Sequence, residues 1–171
     1  SALSKRLRLY KIVNFCNECG FKNFLHIGWE RNPGERKEDL SFNVEKKIVM
    51  TGGGYGGKVQ LLYILWIFKV FFTCFKLKKE DVVWALGFES AFPAVLVSKI
   101  KGFKVVFDDA DRFSLVFNFP KPIFLLISFL EKFTSRNVYK HLGPGIERYD
   151  FKSSKFHIIK NTPFRGFGVL G

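Results

Sequence analysis

The sequence predicts a three-layer α/β domain on a mostly parallel sheet, and three observations carry that prediction. Residues 82–86 form a short apolar run suited to a buried strand, and Gly87 then lets the chain turn. Phe92, Val95, Leu96 and Ile100 follow at helical spacing, with Lys99 and Lys101 in the last turn, where cations suit the helix dipole, and Gly102 as the stop. A second apolar run, residues 105–107, ends in Asp108, Asp109 and Asp111. Strand, helix and strand within about 30 residues make a βαβ crossover, which requires parallel strands.

The other elements fit around this unit. Residues 1–19 have the spacing of a helix that Gly20 ends, and 24–29 (FLHIGW) and 44–50 have the composition of strands. A glycine-rich turn over 52–57 precedes a long apolar segment, 59–75, interrupted by Gln60, Lys69 and Thr73. It is shorter than the roughly 20 residues that span a bilayer, with Lys69 near its middle. A helix apolar nearly all round is ordinarily buried against a sheet; contact of one edge with a membrane surface is the alternative. Residues 123–133 predict a further apolar helix, and 138–142 and 157–159 two more strands. The domain is expected over 1–163, with 164–171 as a flexible tail or the start of a linker. Such a domain ordinarily begins with its central strand, whereas this chain begins inside a helix. Truncation at the N-terminus is therefore expected, and a Gly-rich tail directly after a strand leads to the same expectation at the C-terminus.

A chain of 171 residues suits a single core. Its net charge of +13 attracts nucleic acid, anionic lipid or phosphorylated substrates. The 22 phenylalanines fit a bilayer surface better than a nucleic-acid groove, so nucleic acid is not expected as a partner. Lys5, Arg6, Arg8 and Lys11 crowd the first helix and are the expected membrane contacts, a solvated face being the ordinary alternative. Cys16 and Cys19 form a CxxC pair without a second pair, so no metal site is expected.

In open parallel sheets ligands sit beyond the carboxyl ends of the strands, which directs attention to Glu89 and to Asp108, Asp109, Asp111 and Arg112. Glu89 has two readings, a ligand contact or an acid favoured at a helix N-terminus. Three carboxylates within four residues repel and call for a cation, arginine pairing or solvent. They serve either a ligand or as caps for a short helix at 113–116, with Asp108 the more buried because it continues the strand. Asp109-Ala110-Asp111 also spells a D-x-D metal motif, but the fold that uses it needs a longer chain. GGGYGGK at 52–58 matches part of a P-loop, yet Val59 stands where that loop needs Ser or Thr for Mg²⁺. A glycine turn at a ligand cleft, formed by Gly52, Gly53 and Gly54, is the preferred reading, with backbone N–H groups able to meet an anion.

The order SKRLRLYKI, FLHIGWER, GGGYGGK, DVVWALGFESAFPA, VVFDDADRFSL, LEKF…LGPGIERYD and KFHIIKNTP resembles the N-terminal, Rossmann-like domain of GT-B glycosyltransferases. It is most similar to the large retaining family, family four, that builds surface polysaccharides. In that family one strand ends in a His- or Glu-bearing loop, the next in an acidic cluster, and a closing "vIxNxP/G" segment leads to a second domain. Glu89, the acids of 108–112 and residues 159–163 occupy those places here. The resemblance implies an acceptor-binding domain, with the nucleotide-sugar donor held by a C-terminal domain or a separate catalytic chain. It implies no cofactor bound by this domain, and no transfer without the donor side. The implied acceptor is a polysaccharide or lipid-linked glycan, at the inner face of the cytoplasmic membrane. A membrane-docking subunit of a two-chain enzyme and a P-loop-like NTPase are the competing expectations.

Overall fold

The computed structural model describes residues 7–18, 20–21, 23–31, 44–53, 59–109, 113–142 and 167–170. Among them the chain is α/β, with every pairing between strands parallel. The elements are α1 (Leu7–Glu18), β1 (Phe24–Glu30), β2 (Val44–Thr51), α2 (Val59–Cys74), β3 (Val82–Leu86), α3 (Phe88–Lys101), β4 (Lys104–Asp108), α4 (Phe113–Val116), α5 (Lys121–Asn137), β5 (Lys140–Leu142) and β6 (Phe167–Leu170). The sheet order is β2-β1-β6-β3-β4-β5.

The expected βαβ unit is present. Val82 pairs with Lys104 and Leu86 with Asp108, so β3 and β4 end level with one another. Gly87, at φ 82°, turns the chain from β3 into α3. Gly102 closes the helix in the left-handed region, its N–H bonded to Ser98 O at 2.7 Å.

Two cores line the two faces of the sheet. On one, Ile27, Val83, Val105 and Phe107 meet Trp66 and Val70 of α2 and Ala91, Val95 and Val97 of α3. On the other, α1 packs Ile12, Val13 and Cys16 on Phe24, Trp84, Val106 and Leu142. Adjacent residues of a strand point to opposite faces, which is why Val83 and Trp84 belong to different cores. Burying each Val, Ile or Phe side chain among these stabilises by about 1.5–3 kcal/mol, and the result is the expected three layers. Strand 157–159 lies outside the described residues.

Two expectations change. Residues 167–170, expected within a patternless tail, form β6 in the centre of the sheet, with Gly168 paired to both Leu25 and Val83. β6 joins β1–β2 to β3–β4–β5. The segment 59–75 was expected to be covered by the sheet. Only one side of α2 is covered, the side that bears Trp66, Val70 and Cys74, while Leu61, Phe68 and Phe72 are exposed. Lys69 does not interrupt that outer face, because its Nζ turns to the edge strand and donates to Val49 O at 2.9 Å.

Candidate functional site

The carboxyl ends of β1, β2, β3 and β4 lie along one edge of the sheet, as parallel pairing requires. The connection from β2 to β3 passes across β1 and β6, so the chain changes direction of travel in the sheet here. Crevices at such switch points are where open α/β sheets bind ligands.

The start of α3 and the end of β4 meet at this edge. The Gly87 N–H donates to the main-chain carbonyl of Asp108 at 3.1 Å. The Glu89 carboxylate folds back over Gly87, so a Cβ there would lie 2.7 Å from Oε2. It therefore sits at the positive end of α3, where negative charge is stabilised.

Asp108 is buried, as its place at the end of β4 requires, and Asp109 is less so. The Trp84 indole approaches Asp108 Oδ2 at 3.4 Å from the face that α1 covers. Asp109 goes the other way. Its N–H donates to Leu142 O at 2.8 Å, and its Oδ2 lies 3.6 Å from Nε2 of His141, whose ring stacks on Phe107. The N-terminus of α4 is met from another direction, with the Ser114 N–H donating to Glu131 Oε1 at 3.1 Å. Asp111 and Arg112 lie outside the described residues.

The glycine turn is fastened to β1. The Gly52 N–H donates to Glu30 O, and its carbonyl accepts the Trp29 indole N–H, both at 2.8 Å. Gly53 has φ 102°, and a Cβ there would come within 2.6 Å of Leu62 Cδ1 and 3.2 Å of the Trp29 ring. The backbone thus favours glycine, and a larger residue would also make the Leu62 side chain and the Trp29 ring give way. Gly54 lies outside the described residues.

A run of aromatic rings links the glycine turn to the start of α3. Trp29 meets Tyr63 at 5.5 Å, Tyr63 meets Phe113 at 5.3 Å, and Phe113 meets Phe88 at 5.6 Å. Phe117 closes on Tyr63 and Phe113 from α4's far end. Arg31, one residue past β1, lays its guanidinium over Trp29 and Tyr63, at 4.6 and 5.2 Å from the ring centroids. It donates to the Tyr63 hydroxyl at 2.6 Å. Cation–π contact and this hydrogen bond hold a positive charge beside an aromatic floor.

Sequence reasoning singled out Gly52, Gly53 and Gly54, Glu89, and the acids with Arg112. It passed over Arg31, Tyr63 and His141, which occur singly, and over His26 and Glu30, which are buried within a strand. The FLHIGWER segment contained three of these five residues and was the available signal.

Among the described residues no group of His, Cys, Asp and Glu is arranged to hold a metal. Cys16 is buried in the α1 core, and Cys19 lies outside the described residues. Lys11 is exposed on α1, whereas the side chains of Lys5, Arg6 and Arg8 lie outside the description. No described helix is long and apolar enough to cross a membrane. No family model, curated protein or solved structure matches the chain.

Proposed function

We propose that this chain is an acceptor-binding domain of a glycosyltransferase, seating a glycan or lipid-linked glycan at the carboxyl edge of its sheet. The nucleotide sugar is held by a donor domain or a separate catalytic chain, and transfer requires both. The observation that carries this reading is the half-buried aromatic cluster of Tyr63, Phe113 and Phe117 at this edge, backed by the buried Trp29 and Phe88 and lying between the Gly52–Gly53 turn and Glu89. Aromatic faces suit the apolar C–H faces of sugar rings, and a few placed polar groups fix orientation.

In this reading Glu89 and Asp109 accept hydrogen bonds from acceptor hydroxyls, with His141 orienting Asp109. Asp108 sets the loop that carries Asp109, through its backbone bond to Gly87. Arg31 faces an anionic part of the acceptor, such as a lipid diphosphate, for which a guanidinium is well suited. The order of motifs along the chain supports the same assignment.

The domain lies peripherally on the inner face of the cytoplasmic membrane, as the net charge of +13 and a lipid-linked acceptor favour. The exposed apolar side of α2 favours a second reading, a membrane-docking subunit that makes no glycan contact. Calorimetric titration with a short-chain prenyl diphosphate bearing a disaccharide separates the two. Acceptor binding predicts saturable heat, with the affinity lowered at least tenfold (about 1.4 kcal/mol) by Arg31→Ala and by Glu89→Gln. Absence of binding to this probe and to free oligosaccharides rejects the acceptor reading and leaves the docking subunit.

A further inference from the structure

We propose that the outer face of α2, extended by the first half of α5, is the surface that enters the bilayer. The α2–α3–α5 layer then faces the membrane and α1 faces away. This rests on the peripheral-membrane reading above and moves the contact from the basic first helix to the opposite side of the domain.

Along α2 the exposed side chains are Leu61, Ile64, Leu65, Phe68, Phe72 and Phe75, the last one residue beyond the helix. At 100° per residue they fall on one side of the helix, opposite Trp66, Val70 and Cys74, over a length of about 21 Å. Leu61 is 73% exposed and Phe72 is 65% exposed, so these are outward side chains and not the edge of a core. Lys69, the charged residue of this helix, is turned to the sheet edge. On α5, Ile123, Leu125, Leu126 and Phe129 are also exposed, and α3 lies between the two helices with contacts to both. Monomeric domains rarely leave so much apolar surface in water.

Charge selects the occupant. The three helices run the same way, and their carboxyl ends and the turn after α2 carry exposed Lys76, Lys78, Lys79, Lys99, Lys101 and Arg136, against exposed Glu80. An anionic lipid surface complements this arrangement, whereas a second copy brings another +13. The stripe is made of Leu, Ile and Phe and offers no side-chain hydrogen-bonding group, which suits hydrocarbon better than a specific protein partner.

The first helix lies on the wrong side for simultaneous contact. Ile12, Val13 and Cys16 pack on the face of the sheet opposite that covered by α2 and α3. At roughly 10 Å per layer, α1 is about 20 Å from the α2 layer, beyond the Debye length of about 10 Å at 0.1 M salt.

Tryptophan fluorescence tests this on the full chain. Trp29, Trp66 and Trp84 are buried, so Phe72→Trp adds an outward reporter on α2 and Lys11→Trp adds one on α1. Both are mixed with vesicles of equal parts phosphatidylglycerol and phosphatidylcholine carrying bromine on the acyl chains. The expected result is quenching of Phe72→Trp and not of Lys11→Trp. Phe68→Ser with Phe72→Ser lowers partitioning on the order of 100-fold in 1 M salt, where apolar insertion remains and charge is screened. Neutralising Lys5, Arg6, Arg8 and Lys11 together leaves that salt-resistant partitioning unchanged. Vesicle binding without quenching at position 72, or with quenching at position 11, overturns the assignment of the face. No binding to anionic vesicles overturns the peripheral-membrane reading itself.

Discussion

Gly87 donates its backbone N–H to the main-chain carbonyl of Asp108 at 3.1 Å, locking the entry of α3 to the end of the neighbouring strand. This bond brings the N-terminus of α3, which carries Glu89, to the end of β4, from which Asp109 turns toward Leu142 and His141. It also depends on a backbone that only glycine adopts easily, at φ 82°.

Gly87→Ala should therefore destabilise the protein by about 1–3 kcal/mol from the backbone alone, because φ 82° with ψ 157° is a region essentially confined to glycine. The added Cβ also lies 2.7 Å from Glu89 Oε2, so the carboxylate must move. Adding Glu89→Ala should recover only the steric part. Urea denaturation of both variants checks this, and full recovery in the double variant would mean that the backbone carries no strain.

Trp66 donates its indole N–H to the Ser90 hydroxyl at 3.1 Å, in the core between α2 and α3. Ser90→Ala leaves that donor without its acceptor and should cost about 1–3 kcal/mol. The thermal midpoint should fall while the vesicle partitioning described above is unchanged, because the outer face of α2 is untouched.

Burial pushes the Cys74 thiol up to about 12. In the unfolded chain a thiol ionises near 8.5, so above that pH the native state holds a proton that the unfolded state releases. Stability is then fully present below about 8.5 and is lost as pH rises toward 12, by about 1.4 kcal/mol per pH unit from this group. The stability difference between the wild type and Cys74→Ala should narrow over that interval. A constant difference would show that the thiol is not desolvated.

β6 is paired on both sides, to β1 and to β3. Val169→Pro removes a backbone N–H from the middle of the sheet and should cost about 3 kcal/mol or more. Because β6 joins the two groups of strands, cooperativity of unfolding should fall as well. An unchanged denaturation curve would place 167–170 outside the sheet.

Periodicity and glycine placement made most of the helices and strands legible, since a buried strand and an amphipathic helix each impose a local pattern. β6 had none to impose. Its four residues include a glycine, and its pairing comes entirely from strands far away in the chain. The exposure of α2 was equally hidden, because an all-apolar helix has the same sequence whether or not a layer covers it. Lys69 illustrates the point, as nothing local says that its ammonium turns to Val49. At the site, Gly52, Gly53 and Glu89 announce themselves by their turn and helix-end positions. Arg31 and Tyr63 do not, because their contact spans 32 residues.

The most direct test of the central claim is chemical-shift mapping of the isotopically labelled chain with the short-chain prenyl-diphosphate disaccharide. Binding at the carboxyl edge predicts saturable amide shifts at Gly52, Gly53, Gly87, Glu89 and Asp109, with an indole shift at Trp29. Saturable shifts confined to residues away from this edge, or no shifts at all, would contradict the acceptor-binding account.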